Sequence, residues 1–131
     1  MTEHAKTILM VDDDEDFLFQ QKVQLEAIGF RVVTASSKAE ALRVIAGSRP
    51  DLVIVDLMME EMDAGFTVCH TIKAKDESIP VIMCTGVVGE TGLEFDAVTD
   101  EEQAWVKADV LLSKPVRFEQ LKREIDRLLA S

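Results

Sequence analysis

Four short apolar runs in this chain each end on a polar group of chemical use. Residues 8–11 (ILMV) lead into Asp12 and Asp13, residues 52–55 (LVIV) into Asp56, residues 81–84 (VIMC) into Thr85, and residues 110–112 (VLL) into Ser113, Lys114 and Pro115. Runs of about four Val, Ile, Leu and Met residues between helical patterns mark strands buried on both faces of a parallel sheet. In such sheets ligands bind beyond the carboxyl ends of the strands. The chain must therefore bring three carboxylates, a hydroxyl and an ammonium together from four separate places in the sequence.

Between these runs the pattern is helical. Residues 14–28 place Phe17, Leu18, Leu25 and Ile28 at roughly helical spacing, and Gly29 supplies the C-terminal stop. Residues 31–35 form a second strand. Ser37-Lys-Ala-Glu40 is a capping box, whose hydroxyl and carboxylate satisfy open amide donors of a helix carrying Leu42 and Ile45. Arg49, Pro50 and Asp51 break the chain before the third strand. Residues 65–75 form a third helix that buries Phe66, Cys69 and Ile72, and Ile79-Pro80 leads into the fourth strand. Residues 86–109 are the least regular. Gly86, Gly89 and Gly92 mark a loop, and Thr99-Asp-Glu-Glu102 caps a short helix ending near Lys107, with Trp105 as its core anchor. A fifth strand and a last helix follow, with Phe118, Leu121, Ile125, Leu128 and Leu129 on one face. Alternating strands and helices with right-handed crossovers predict a three-layer α/β/α sandwich.

A chain of 131 residues makes one domain, 1–131. Its 25 acidic and 14 basic residues give a net charge of −11, which argues against direct contact with nucleic acid or anionic membranes. No apolar run approaches a membrane span, and the N-terminal segment turns acidic too soon for a secretory signal. A cytoplasmic location is expected. Cys69 and Cys84 lack metal spacing and read as buried structural thiols, and His4 and His70 have no partner pattern.

An acidic stretch such as Asp12-Asp-Asp-Glu-Asp16 has an ordinary reading as a solvated helix start. Apposed carboxylates repel, however, and Asp12, Asp13 and Asp56 at neighbouring strand ends call for a cation among them. All-oxygen ligands on short loops suit a hard divalent ion, with Mg²⁺ the abundant one. A carboxylate beside Mg²⁺ can attack phosphorus to give an aspartyl phosphate. The transferring group spreads negative charge over its oxygens, so an ammonium and a hydroxyl are the further groups needed; Lys114 and Thr85 are placed for this.

The segments ILMVDDDEDF, PDLVIVDLMMEEMDAGF, PVIMCTG and VLLSKPV closely resemble the signature of the receiver domain of bacterial two-component response regulators, over about residues 6 to 130. The resemblance implies a five-stranded parallel sheet of flavodoxin-like order 2-1-3-4-5. It implies that Asp56 is the phosphoacceptor, that Asp13 binds Mg²⁺ directly, that Asp12 binds mainly through a metal-bound water, and that the main-chain carbonyl of Met58 completes the protein ligands. Lys114 would pair with the acyl phosphate, and Thr85 would swing to hydrogen-bond it.

Three positions depart from the family pattern. The loop after Asp56 carries Glu60-Glu61 where a Pro-Gly turn is usual, with Ala64 as an apparent insertion. Leu111 stands where a Tyr or Phe normally rotates inward as the Thr moves. The stretch from Thr85 to Lys114 is several residues longer than usual, with the excess in 86–109 and its carboxylates Glu90, Glu94, Asp96, Asp100, Glu101 and Glu102. Long loops are often the functional ones, so 86–109 is the expected output surface.

The chain reads as a stand-alone receiver, and the resemblance implies that it is not a conventional enzyme, although it would catalyse its own phosphorylation and dephosphorylation. Its expected partners are a sensor histidine kinase or histidine phosphotransfer protein and an unidentified downstream protein effector. Val87 and Met58 flank the path of hydrolytic water with apolar groups, so slow self-dephosphorylation is expected. The alternative is a phosphorylation-independent pseudo-receiver, a protein-binding module. A hydrolase of the haloacid-dehalogenase type is disfavoured because Met58 stands where that family has its second acid.

Overall fold

The computed structural model describes residues 6–56, 64–85, 109–113 and 117–129. Along the chain these are β1 (Thr7–Val11), α1 (Glu15–Ala27), β2 (Arg31–Ala35), α2 (Lys38–Gly47), β3 (Leu52–Asp56), α3 (Ala64–Lys75), β4 (Val81–Thr85), β5 (Val110–Ser113) and α4 (Phe118–Leu129). The five strands form one parallel sheet in the order β2-β1-β3-β4-β5, as the resemblance implied. The helix expected near 99–107, with Trp105, lies outside the described residues.

Strand alternation sends successive side chains to opposite faces, and helices cover both. On one face Leu9, Val11, Val53, Val55, Val81 and Met83 pack with Ala41 and Ile45 of α2 and with Val68, Cys69 and Ile72 of α3. On the other, Ile8, Met10, Ile54, Ile82, Cys84 and Leu112 pack with Leu18 and Leu25 of α1 and with Leu121 and Ile125 of α4. This is the three-layer sandwich. Cys69 and Cys84 are free, buried thiols in different layers.

Local chemistry sets where the helices begin and end. Asp14 caps α1, its Oδ1 accepting from the amide of Phe17 at 3.1 Å. Gly29 follows at φ 107°, a conformation that a side chain disfavours. Ser37 caps α2, its Oγ accepting from the amide of Glu40 at 3.1 Å. The reciprocal half of this capping box is displaced by one residue: Glu40 Oε1 accepts from the amide of Ser36, at 2.6 Å, rather than from that of Ser37. At the other end of α2, Lys75 Nζ donates to the carbonyls of Ile45 and Ser48, two acceptors left open by helix termination.

Helix α1 departs from its expected pattern. Leu18 and Leu25 are buried and Phe17 packs partly against them, but Ile28 is exposed at the C-cap. The inward stripe includes Gln21, while Phe19 and Val23 face solvent. The helical period admits either arrangement, and packing against β1 and β2 decides between them.

Candidate functional site

Val11 of β1 pairs with Val55 of β3, so Asp12 and Asp56 come next on adjacent strands at one level of the sheet. Asp56 in turn pairs with Cys84 of β4, which puts Thr85 one residue further along, opposite Ser113 of β5. The ladder thus carries Asp12, Asp56, Thr85 and the residue before Lys114 to the same carboxyl end. The side chain of Thr85, with Met58, Val87 and Lys114, lies outside the described residues, as do all of the 86–109 segment except Asp109 and the side chain of Leu111.

Carboxylate oxygens of Asp12, Asp13 and Asp56 all lie within 4.8 Å of one another. Asp12 and Asp56 are buried, with 2% and 3% of their surfaces exposed, and Asp13 is open to solvent. The main chain orients Asp12 on both sides. Its amide donates to the carbonyl of Ala35 at 3.1 Å, and its Oδ1 accepts from the amide of Asp14 at 2.9 Å. The acidic stretch divides its work residue by residue. Asp14 caps α1, and Glu15 and Asp16 sit in its first turn, where the helix dipole favours them, while Asp12 and Asp13 turn to the cluster.

Three like charges at this separation repel strongly where two of them are shielded from water. The donor set is hard oxygen throughout, and oxygens bound to one Mg²⁺ stand at most about 4.2 Å apart, twice its ~2.1 Å bond. Oxygens within 4.8 Å of one another are a little wider than that span, and a small inward shift or a metal-bound water on one carboxylate closes the difference; in donor chemistry the residues fit a small divalent cation, with Asp13 on the solvent side and two buried carboxylates beneath it.

Two other acids are tuned away from this cluster. The amide and hydroxyl of Ser36 hold the Glu40 carboxyl below its ordinary range. Hydrogen bonds from Ser78, reinforced by Arg49, lower Asp76 to about 2. A third polar feature carries no signal in the sequence: Lys73 Nζ, on a side chain only 9% exposed, donates to the carbonyls of Glu77 and Ile79 and to Asp109 Oδ2. Asp109 Oδ2 also accepts from the amide of Val81, which ties the start of β5 to the start of β4. Among the described residues no helix is long and apolar enough to cross a membrane.

The family model of the response regulator receiver domain matches residues 8–126. The chain is 35% identical over 122 residues to the heme response regulator HssR of Staphylococcus haemolyticus, covering 92% of this chain and 50% of that protein. It is 35% identical over 127 residues to the probable transcriptional regulator ycf27 of Guillardia theta, covering 97% of this chain and 46% of that one. The chain thus spans about half the length of the curated relatives it matches. Among solved structures, the response regulator TrrA of Thermotoga maritima, in complex with Mg²⁺-BeF, is similar with a TM-score of 0.76 and 27% identity over 95% of this chain and 99% of that one. With its sheet order, its acid cluster at the strand ends and a family match over nearly its whole length, the chain belongs to the response regulator receiver domains of two-component systems.

Proposed function

We propose that this receiver is a phosphoacceptor. Asp56 takes a phosphoryl group from the phosphohistidine of a sensor histidine kinase or histidine phosphotransfer protein, and the phosphorylated state is read by a downstream protein in the cytoplasm. One observation carries this: buried Asp12 and Asp56 and exposed Asp13 present oxygens to one another at the carboxyl end of the sheet. Asp12, Asp13, Asp56 and the carbonyl of Met58 would hold Mg²⁺, as the Mg²⁺-BeF complex of the similar TrrA supports. The ion, when bound, neutralises the carboxylates and the charge that develops on the phosphoryl oxygens.

The protein's own part is positioning. An Asp56 carboxylate oxygen forms a bond to phosphorus as the phosphorus–nitrogen bond to the imidazole breaks, and the imidazole leaves with the electron pair of that bond. Burial strips water from Asp56, at the carboxyl end of β3. Lys114, one residue beyond β5, supplies an ammonium for the new anionic oxygens. Thr85, at the end of β4, supplies a hydroxyl that donates to one of them. Support comes from the ladder, in which Thr85 ends β4 opposite Ser113, the residue before Lys114 in the sequence, at the sheet end that holds the carboxylates. Displacement of Thr85 pulls on the segment that follows β4, so 86–109 carries the output, with Leu111 as a switch lacking a ring.

Intact-mass spectrometry after incubation with acetyl phosphate tests this. Wild type is expected to gain one phosphoryl group only with Mg²⁺, and Asp56→Asn to gain none. Absence of an adduct with acetyl phosphate, a beryllofluoride complex and a phosphorylated kinase would overturn the reading in favour of a binding module that works unphosphorylated.

A further inference from the structure

β2 is an outermost strand of the sheet. The amide of Arg31 donates to the carbonyl of Lys6, and the carbonyl of Ala35 accepts from the amide of Asp12, so the odd-numbered residues of β2 turn their peptide groups toward β1. Alternate residues of a parallel strand face opposite edges, which turns the main-chain groups of Val32 and Thr34 outward. Ser36 is next in that outward series, and its amide is taken by Glu40 Oε1. The outer edge is closed at its carboxyl end, and among the described residues no strand pairs with it before that point.

A cleft of about 330 Å³ lies against this edge, walled by Glu15, Phe19 and Lys22 of α1, Thr34 and Ser36 at the end of β2, and Glu40 of α2. α1 and α2 cover opposite faces of the sheet, so a cleft walled by both wraps around the sheet edge. Phe19 is 67% exposed and Val23, one turn on, 50% exposed; every large exposed hydrophobic among the described residues belongs to α1 or its C-cap. Natural sheet edges are usually blunted by charge, proline or a covering element. β2 has a single charged residue, Arg31, at its start, and no proline.

The rim is acidic. Glu15 and Glu40 line the cleft, Asp16 lies one turn before Phe19 and Glu26 one turn after Val23; against these four acids stand Lys22, 4.0 Å from Glu26, and Arg43, close enough to act on Glu40. A second copy carries the same net charge of −11 over its whole chain and would be repelled, whereas a basic segment complements the rim. We propose that the outer edge of β2 and its cleft dock an extended partner segment that alternates apolar and basic residues. The segment's backbone bonds to Val32 and Thr34, its apolar side chains pack on Phe19 and Val23, and its cations pair with Glu15 and Glu40. Main-chain bonds supply affinity in this mode, and alternate side chains supply selectivity. None of these residues contributes an oxygen to the acid cluster, so the proposal stands apart from the phosphoacceptor reading.

The test is an amide-resonance titration of the isotope-labelled full chain with two short synthetic peptides, one alternating valine and lysine, the other valine and glutamate. The lysine peptide is expected to shift Glu15, Phe19, Val32 and Thr34 and to slow hydrogen exchange at the Val32 and Thr34 amides; the glutamate peptide is expected to do neither. Phe19→Ser should weaken the lysine peptide by about tenfold, with the spectrum unchanged away from the cleft. Thr34→Pro, which deletes an outward amide without touching the β1 ladder, should abolish the exchange protection at the remaining Val32 amide. Shifts scattered over the acidic surface, equal binding of both peptides, or full affinity in Phe19→Ser would overturn the proposal. Self-association that Thr34→Pro abolishes would overturn it too, by making a second copy the occupant.

Discussion

Asp12 and Asp56 are buried neighbours across the β1–β3 ladder, each one residue beyond the paired valines Val11 and Val55. Paired residues of parallel strands point their side chains to the same side, so the backbone forces two shielded carboxylates together before any ligand is considered. Asp13, with oxygens within 4.8 Å of both, adds a third charge from the solvent side.

That crowding has a thermodynamic signature. Without metal, Asp13→Asn removes one of three like charges and should stabilise the fold, on the order of 1 kcal/mol. With Mg²⁺ the order reverses, because wild type gains more binding free energy than the variant. Thermal unfolding of both proteins in chelator and in Mg²⁺ checks this; parallel responses would show that Asp13 does not engage the cation.

Gln21 stands between Leu18 and Leu25 on the inward face of α1, only 7% exposed, and its Oε1 has no hydrogen-bond partner among the described residues. A buried amide oxygen without a donor is destabilising, so Gln21→Leu should raise stability by about 1 kcal/mol. The urea midpoint is expected to rise with an unchanged slope. A lower midpoint would mean that the amide is satisfied in solution.

Lys73 uses all three ammonium hydrogens, on Glu77, Ile79 and Asp109, from a nearly buried position. Lys73→Met leaves those acceptors unmet and should cost about 2–4 kcal/mol. Asp109→Asn keeps an acceptor for the Val81 amide and should cost less. Chemical denaturation of the two variants orders them, and a larger loss in Asp109→Asn would contradict the assignment.

Acid weakens the link between Arg49 and Asp76. Hydrogen bonds from Ser78, then Arg49, depress the Asp76 pKa from 3.8 to about 2 in the folded protein. A depressed carboxyl contributes stability that is fully present above its unfolded pKa and is lost as pH falls through the folded one. The difference in stability between wild type and Asp76→Asn should therefore be constant above about pH 5 and shrink between about pH 4 and pH 2. Equilibrium unfolding of both proteins across that range measures it; a difference that grows toward low pH would contradict the sign.

Apolar runs of strand length separated by capped helices fix a parallel α/β sheet, because only strands buried on both faces read as unbroken hydrophobic stretches. Ser37 and Gly29 announced their helix ends through local chemistry that needs no tertiary context. The carboxylates at 12, 13 and 56 were legible because a parallel sheet delivers every strand end to one place. Tertiary structure alone decided which face of α1 is inward, since leucines and phenylalanine alternate with glutamines around that helix and its period allows more than one stripe. It decided the division of labour within Asp12-Asp-Asp14, where Asp12 is buried in the acid cluster and Asp14, two residues on, caps α1. It also placed Lys73 against Asp109, 36 residues away, and left the β2 edge facing outward. Contacts between residues distant in sequence depend on how layers pack, and side-chain periodicity does not encode that.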